Sequence, residues 1–274
     1  MASLGIFDSG YGGLTVFKAI RELMPEYDYL YLGDNARAPY GNLSFETVYE
    51  YTLECVTWLF EQGCDLVILA CNTASAKALR NIQQKVLPER FPGKKLLGVI
   101  RPTAEIIGNF TQQKHIGILG TAGTIQSGSY LIEIDRFYPE LKVVQHACPL
   151  WVPLIEANNY ASEEALAIIK SDIEAILEED EKIDLLLLAC THYPLIKDQI
   201  QQFLPEHVNI ISQDVLVAES LKDYLQRHPE VESKLKKTED KQFFTTGDPA
   251  DFEAHTFMFF GKNIEAQQVK LVNK

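Results

Sequence analysis

The chain has 274 residues, 46% hydrophobic and 23% charged, which excludes a disordered or collagen-like protein. Lys and Arg total 25 against 38 Asp and Glu, a formal charge of −13. So acidic a chain argues against a nucleic-acid partner and against an anionic membrane surface, because both need a concentrated basic face. Five cysteines (Cys55, Cys64, Cys71, Cys148 and Cys190) make an odd set without CxxC spacing, so neither a disulfide framework nor a zinc ribbon is expected. The opening Met-Ala-Ser-Leu-Gly-Ile-Phe-Asp has neither a basic n-region nor an apolar h-region, and the apolar run 185–190 is too short for a bilayer. The expectation is a cytoplasmic protein with reduced thiols and no membrane segment. By length it should hold two domains of roughly 140 residues each.

In chain order, β-type runs alternate with amphipathic segments. Strands are predicted at 4–7 and 27–32. Ser44 then caps a helix whose apolar face carries Val48, Leu53, Val56, Leu59 and Phe60. Further strands are predicted at 66–70, 96–100, 115–119 and 143–145. Ser162 caps a second long helix, with Glu163 and Glu164 in its first turn and Leu166, Ile169, Ile173 and Ile176 at helical spacing. A last strand is predicted at 185–189. Continuous apolar strands between helices indicate an α/β protein with mostly parallel sheets flanked by helices.

Two segments repeat. Gly5-Ile6-Phe7-Asp8-Ser9-Gly10 is similar to Gly117-Ile118-Leu119-Gly120-Thr121-Ala122, each a strand ending in a loop of small residues. Asp65 followed by four aliphatic residues and Ala70-Cys71-Asn72-Thr73 is similar to Asp184 followed by four leucines and Ala189-Cys190-Thr191-His192. The same order in both halves predicts two related α/β domains with a pseudo-twofold relation. Ligands of parallel sheets bind beyond the carboxyl ends of the strands. Asp8, Ser9, Cys71, Asn72, Thr73, Thr121, Cys190, Thr191 and His192 all follow predicted strands and should converge in a cleft between the halves. Cys55, Cys64 and Cys148 read as buried, inert thiols. Cys71 and Cys190 hold equivalent positions, and two opposed thiols suit the inversion of a stereocentre, where one takes a proton and the other returns one.

Four stretches carry a resemblance: Gly5-Ile-Phe-Asp8-Ser9-Gly10-Tyr-Gly12-Gly13, Gly33-Asp34-Asn-Ala-Arg37-Ala-Pro39-Tyr40-Gly41, Ala70-Cys71-Asn72-Thr73-Ala74 and Ala189-Cys190-Thr191-His192-Tyr193-Pro194. In this order the chain resembles the glutamate racemases of the cofactor-independent aspartate/glutamate racemase group. The resemblance implies two similar domains, 1–98 plus 209–274 and 99–208, with the active site between them. It implies interconversion of L- and D-glutamate for peptidoglycan, by a homodimer, with no cofactor and no metal. Cys71 and Cys190 would be the acid/base thiols, Asp8 assisting the first, His192 the second, and Glu156 a further acid near Cys190. Substrate binding would fall to Asp8, Ser9, Pro39, Tyr40, Gly41, Cys71, Asn72, Thr73, Thr121, Thr124, Cys190, Thr191 and His192. Thr103 stands where a smaller residue is common. Aspartate racemase, or a non-catalytic amino-acid-binding protein, is the alternative; the Pro39-Tyr40-Gly41 and Cys190-to-Tyr193 motifs favour glutamate. Physical chemistry adds one constraint: a carboxylate beside Cys71 opposes a standing thiolate, so Asp8 should orient the thiol or take its proton during reaction.

Overall fold

The computed structural model describes residues 2–271, so Met1 and 272–274, the extremes of the expected first domain, lie outside the described residues. Strands β1 (Leu4–Asp8), β2 (Tyr29–Gly33), β3 (Leu66–Leu69) and β4 (Lys95–Gly98) form a parallel sheet in the order β2-β1-β3-β4. Strands β5 (His115–Gly120), β6 (Lys142–Ala147), β7 (Leu185–Ala189) and β8 (Asn209–Ser212) form a second parallel sheet in the order β6-β5-β7-β8. The order is the same in both, strand for strand, which is the structural counterpart of the sequence repeat. β9 (Lys241–Thr245) and the two-residue β10 (Gln267–Gln268) extend the first sheet beyond β2. Every residue of β1, β2, β3 and β7 is buried, as expected for strands covered on both faces.

Three helices matter for the site. α1 (Gly13–Leu23) starts a few residues after β1 and buries Leu14, Phe17 and Ile20. α2 (Phe45–Glu61) is capped by Ser44, which accepts from Thr47 N–H at 3.1 Å. α3 (Asn72–Lys77) begins directly after Cys71. In the second half, Ser162 accepts from Ala165 N–H at 3.2 Å and caps the helix Glu163–Glu179, whose Ile169, Ile173 and Ile176 are buried. Both helix caps read from sequence are therefore present. The helix Asp214–Arg227 packs along α1, and through it the C-terminal segment returns to the first sheet.

Two expectations need correction. The run 96–100 is not one strand: β4 stops at Gly98, and Ile100–Ala104 is helical. Val99 and Ile100 are buried in the crossover, and a short apolar run has the same pattern in a strand as in a buried helix. The return to the first half does not start at 209, because Asn209–Ser212 pairs with β7 in the second sheet. β8 is the counterpart of β4, so the repeat itself assigns it to the second half. Among the described residues no helix is long and apolar enough to cross a membrane.

Candidate active site

β1 and β3 are neighbours, with Phe7 opposite Leu69, so Asp8 and Cys71 emerge side by side at the carboxyl end of the first sheet. Asp8 is fully buried, and its Oδ2 accepts from Gly10 N–H at 2.9 Å. The amide of Gly13, the first residue of α1, also favours the charged form of this carboxylate. Burial raises its carboxyl above the ordinary range, against the pull of nearby His192 and the two amides. Cys71 Sγ accepts from Ala74 N–H at 3.4 Å and caps α3, and Ser9 Oγ lies 3.4 Å from it. Burial first, and the Asp8 charge second, push the Cys71 thiol up to about 12. Cys71 is therefore a thiol at neutral pH, as the like-charge argument requires.

The second sheet repeats this arrangement with different chemistry. Gly120 pairs with Ala189, so Thr121 and Cys190 emerge together from β5 and β7. Cys190 Sγ lies 3.9 Å from His192 Nδ1, and His192 Nε2 lies 2.8 Å from Glu156 Oε1 at the end of the helix Trp151–Glu156. Burial by itself would lower the imidazole, but the hydrogen bonds to Cys190 and Glu156 outweigh it and raise His192 to about 10. His192 is therefore cationic at neutral pH, clamped between the Cys190 sulfur and the Glu156 carboxylate. Thr73 Oγ1 lies 2.9 Å from Thr121 Oγ1, and Thr121 donates to Thr124 Oγ1 at 3.1 Å, giving a seam of hydroxyls across the two halves.

The halves meet closely at α1. A Cβ built on Gly12 would lie 2.2 Å from Thr191 Oγ1 and 2.4 Å from His192 Nδ1, so only glycine admits the Cys190 loop here. Thr15 Oγ1, one turn on, donates to Thr191 O at 3.0 Å and fixes the same loop. Both thiols, the imidazole, Glu156 and the Thr73/Thr121 hydroxyls line one cavity. No Lys or Arg is among the described residues lining it, so an anionic ligand would be received by hydroxyls, backbone amides and the His192 cation.

The sequence profile described as Asp/Glu/Hydantoin racemase matches residues 14–219. The chain belongs to that family. It is 45% identical over 223 residues to a glutamate racemase of Aquifex aeolicus, covering 81% of this chain and 83% of that one. The crystal structure of a glutamate racemase isoform of Bacillus anthracis superposes with a TM-score of 0.89 at 34% identity, covering 98% of both chains. That of the Francisella tularensis glutamate racemase in complex with D-glutamate gives 0.86 at 28% identity, again over 98% of both chains.

Within this racemase family frame, Ser9, Pro39, Tyr40, Gly41, Cys71, Asn72, Thr73, Thr121, Glu156, Cys190, Thr191 and His192 all reach the cavity wall. Asp8 and Thr124 do not; both are fully buried, and they support Cys71 and Thr121 from behind. Two side chains are committed elsewhere. The Tyr40 hydroxyl donates to Asp34, which is itself held by Arg37. Asn72 donates through Nδ2 to Gln213 Oε1 at 2.7 Å and accepts at Oδ1 from the Tyr130 hydroxyl at 2.6 Å. What Asn72 leaves for a ligand is its backbone N–H, one of those a helix start leaves without an internal partner. Gln213, Tyr130 and Asp34 were not foreseen as parts of the site. Gln213 Nε2 also donates to Val99 O at 3.2 Å and to Thr103 Oγ1 at 2.9 Å, which accounts for a threonine at 103. No local motif marks Gln213, whose side-chain partners are all more than eighty residues away in sequence.

Proposed function

We propose that this chain is a glutamate racemase, interconverting L- and D-glutamate by a two-base transfer between Cys190 and Cys71. The observation that carries the reading is that two thiols, at equivalent strand ends of two sheets that share one four-strand order, line one cavity with different auxiliaries. From the L side, Cys190 acts as a thiolate paired with the His192 cation, which Glu156 holds in place; it takes the α-proton and becomes a thiol. The Cys71 thiol, held protonated by burial and by Asp8, delivers a proton to the opposite face. In the reverse direction Asp8 can take up the Cys71 proton as the thiolate forms. The Thr73 and Thr121 hydroxyls and the backbone amides at the start of α3 hold the α-carboxylate, where charge builds up in the enolate-like transition state. The reading extends to D-glutamate supply for peptidoglycan, in the cytoplasm and as a homodimer; five buried, unpaired cysteines suit a reducing compartment.

The test is a circular-dichroism turnover assay on dialysed protein free of metal and pyridoxal phosphate. L-glutamate should lose its signal as it racemises, and aspartate should turn over far more slowly. No turnover of glutamate would end the reading; preference for aspartate would redirect it to the alternative. Rescue of a D-glutamate auxotroph tests the peptidoglycan role.

A further inference from the structure

Behind the cleft, on its second-half side, lies a cluster that the racemisation chemistry does not use. His146 lies near the end of β6 and Cys148 is the first residue after the strand, and their side chains come to the same place. Asp172, on the helix Glu163–Glu179 that packs against β6, reaches the same place. His146 Nε2, Cys148 Sγ and an Asp172 carboxylate oxygen all lie within 4.8 Å of one another. We propose that these three side chains form a binding site for a zinc-class divalent cation, structural to the His192 side of the cleft.

The donor set is of the kind zinc prefers: an imidazole nitrogen, a thiolate and a carboxylate, with a fourth position open to water. Donors at ~2.0–2.3 Å from a tetrahedral ion are about 3.5 Å apart, so shifts of about 1 Å complete the triad. His146 Nε2 and Asp172 Oδ1 are 2.9 Å apart, sharing a hydrogen where the ion would lie. On binding, that hydrogen passes to Nδ1 of the imidazole, and Cys148 releases its thiol proton to solvent. The carboxylate is already oriented by an outer contact, because Trp151 Nε1 donates to Asp172 Oδ2 at 2.7 Å and turns Oδ1 toward His146, where the ion would lie. Cys148 is wholly buried, whereas the His146 and Asp172 side chains are 27% and 19% exposed and give the ion an entrance.

The position gives the site its consequence. Cys148 leads into the helix that ends at Glu156, and its carbonyl accepts from the Tyr193 hydroxyl at 3.0 Å. An ion here would brace both partners of the Glu156–His192 contact without touching the cavity.

Cobalt(II) is the probe, because thiolate ligation gives it a near-ultraviolet charge-transfer band. Metal-free full-length protein carrying Cys71→Ala and Cys190→Ala, which removes the cleft thiols, should bind one equivalent and show this band, and Zn2+ should abolish it. Adding Cys148→Ala should remove the band. Asp172→Asn in the same background should weaken binding by at least tenfold while keeping side-chain volume. Loss of the band in the Cys71→Ala, Cys190→Ala protein, or its persistence after Cys148→Ala, would overturn the site. Should the Cys148 variant fail to fold, unchanged cobalt affinity in Asp172→Asn would overturn it equally.

Discussion

Glu156 Oε1 and His192 Nε2 are 2.8 Å apart, although the two residues follow different strands of the second sheet. This contact, with Cys190 on the other ring nitrogen, lets a fully buried imidazole keep its proton. The folded value near 10 exceeds the ordinary 6.5, so the native state binds the extra proton more tightly than the unfolded chain. The associated stability is complete below pH 6.5 and is lost as pH rises toward about 10. Glu156→Gln should flatten this decline. Chemical denaturation of both proteins at intervals from pH 6 to 10 checks it, with the variant's deficit largest at the acid end.

The two thiols should separate by enantiomer. Cys71→Ser and Cys190→Ser should each lose racemisation by a factor on the order of 10²–10⁴. Elimination from 3-chloroglutamate needs only the first base. Cys71→Ser should therefore retain elimination from the L-threo isomer, and Cys190→Ser from its D counterpart. Equal loss toward both isomers, or a reversed preference, would contradict the assignment of faces.

Proton traffic should be visible in heavy water. Because the returning proton comes from Cys71, which exchanges with solvent, product glutamate should carry an α-deuteron at the first turnover. Mass spectrometry of product isolated early reads this directly; full retention of the original proton would exclude two opposed thiols.

Gly12→Ala should be nearly inactive. The added methyl group would sit 2.4 Å from His192 Nδ1, and neither the α1 start nor the Cys190 loop can yield without moving the imidazole. A misplacement of about 1 Å costs on the order of 10²-fold in rate. The expected signature is a fall in kcat with secondary structure preserved by circular dichroism.

Gln213→Leu tests the buried bridge. The substitution leaves the Asn72 amide donor without its partner in the interior, at a cost of about 1–3 kcal/mol of stability. Asn72 directly follows Cys71, so kcat should fall as well, while Thr103→Ala, which removes a hydroxyl that accepts from Gln213 and donates to Val99 O but leaves the Gln213–Asn72 bond in place, should be milder in both. Thermal melts and turnover of the two variants give the comparison.

The strands that carry the thiols were legible because they are buried on both faces and so are apolar throughout, and the polar residues that end them stand out sharply. Ser44 and Ser162 were legible as caps for a local reason, the need to satisfy a helix's first amides. β8 and β9 were not. Asn-Ile-Ile-Ser and Lys-Gln-Phe-Phe-Thr have too few apolar positions to stand out, and only pairing with β7 and β2 makes them strands.

Residue order alone sets the chemistry on offer: which residues leave the strands, in which order, and that the order occurs twice. The state those residues are in comes from the packing of distant segments. That Cys71 is held as a thiol follows from burial beside Asp8, and that His192 is held as a cation follows from Cys190 at one ring nitrogen together with Glu156, which the sheet brings to the other. Likewise, the Tyr40 hydroxyl and the Asn72 amide are taken up by Asp34, Gln213 and Tyr130, which no spacing in the chain announces. Residue type sets what a group can donate or accept. Desolvation and the neighbours the fold supplies set whether it does, and those depend on contacts between segments far apart in sequence.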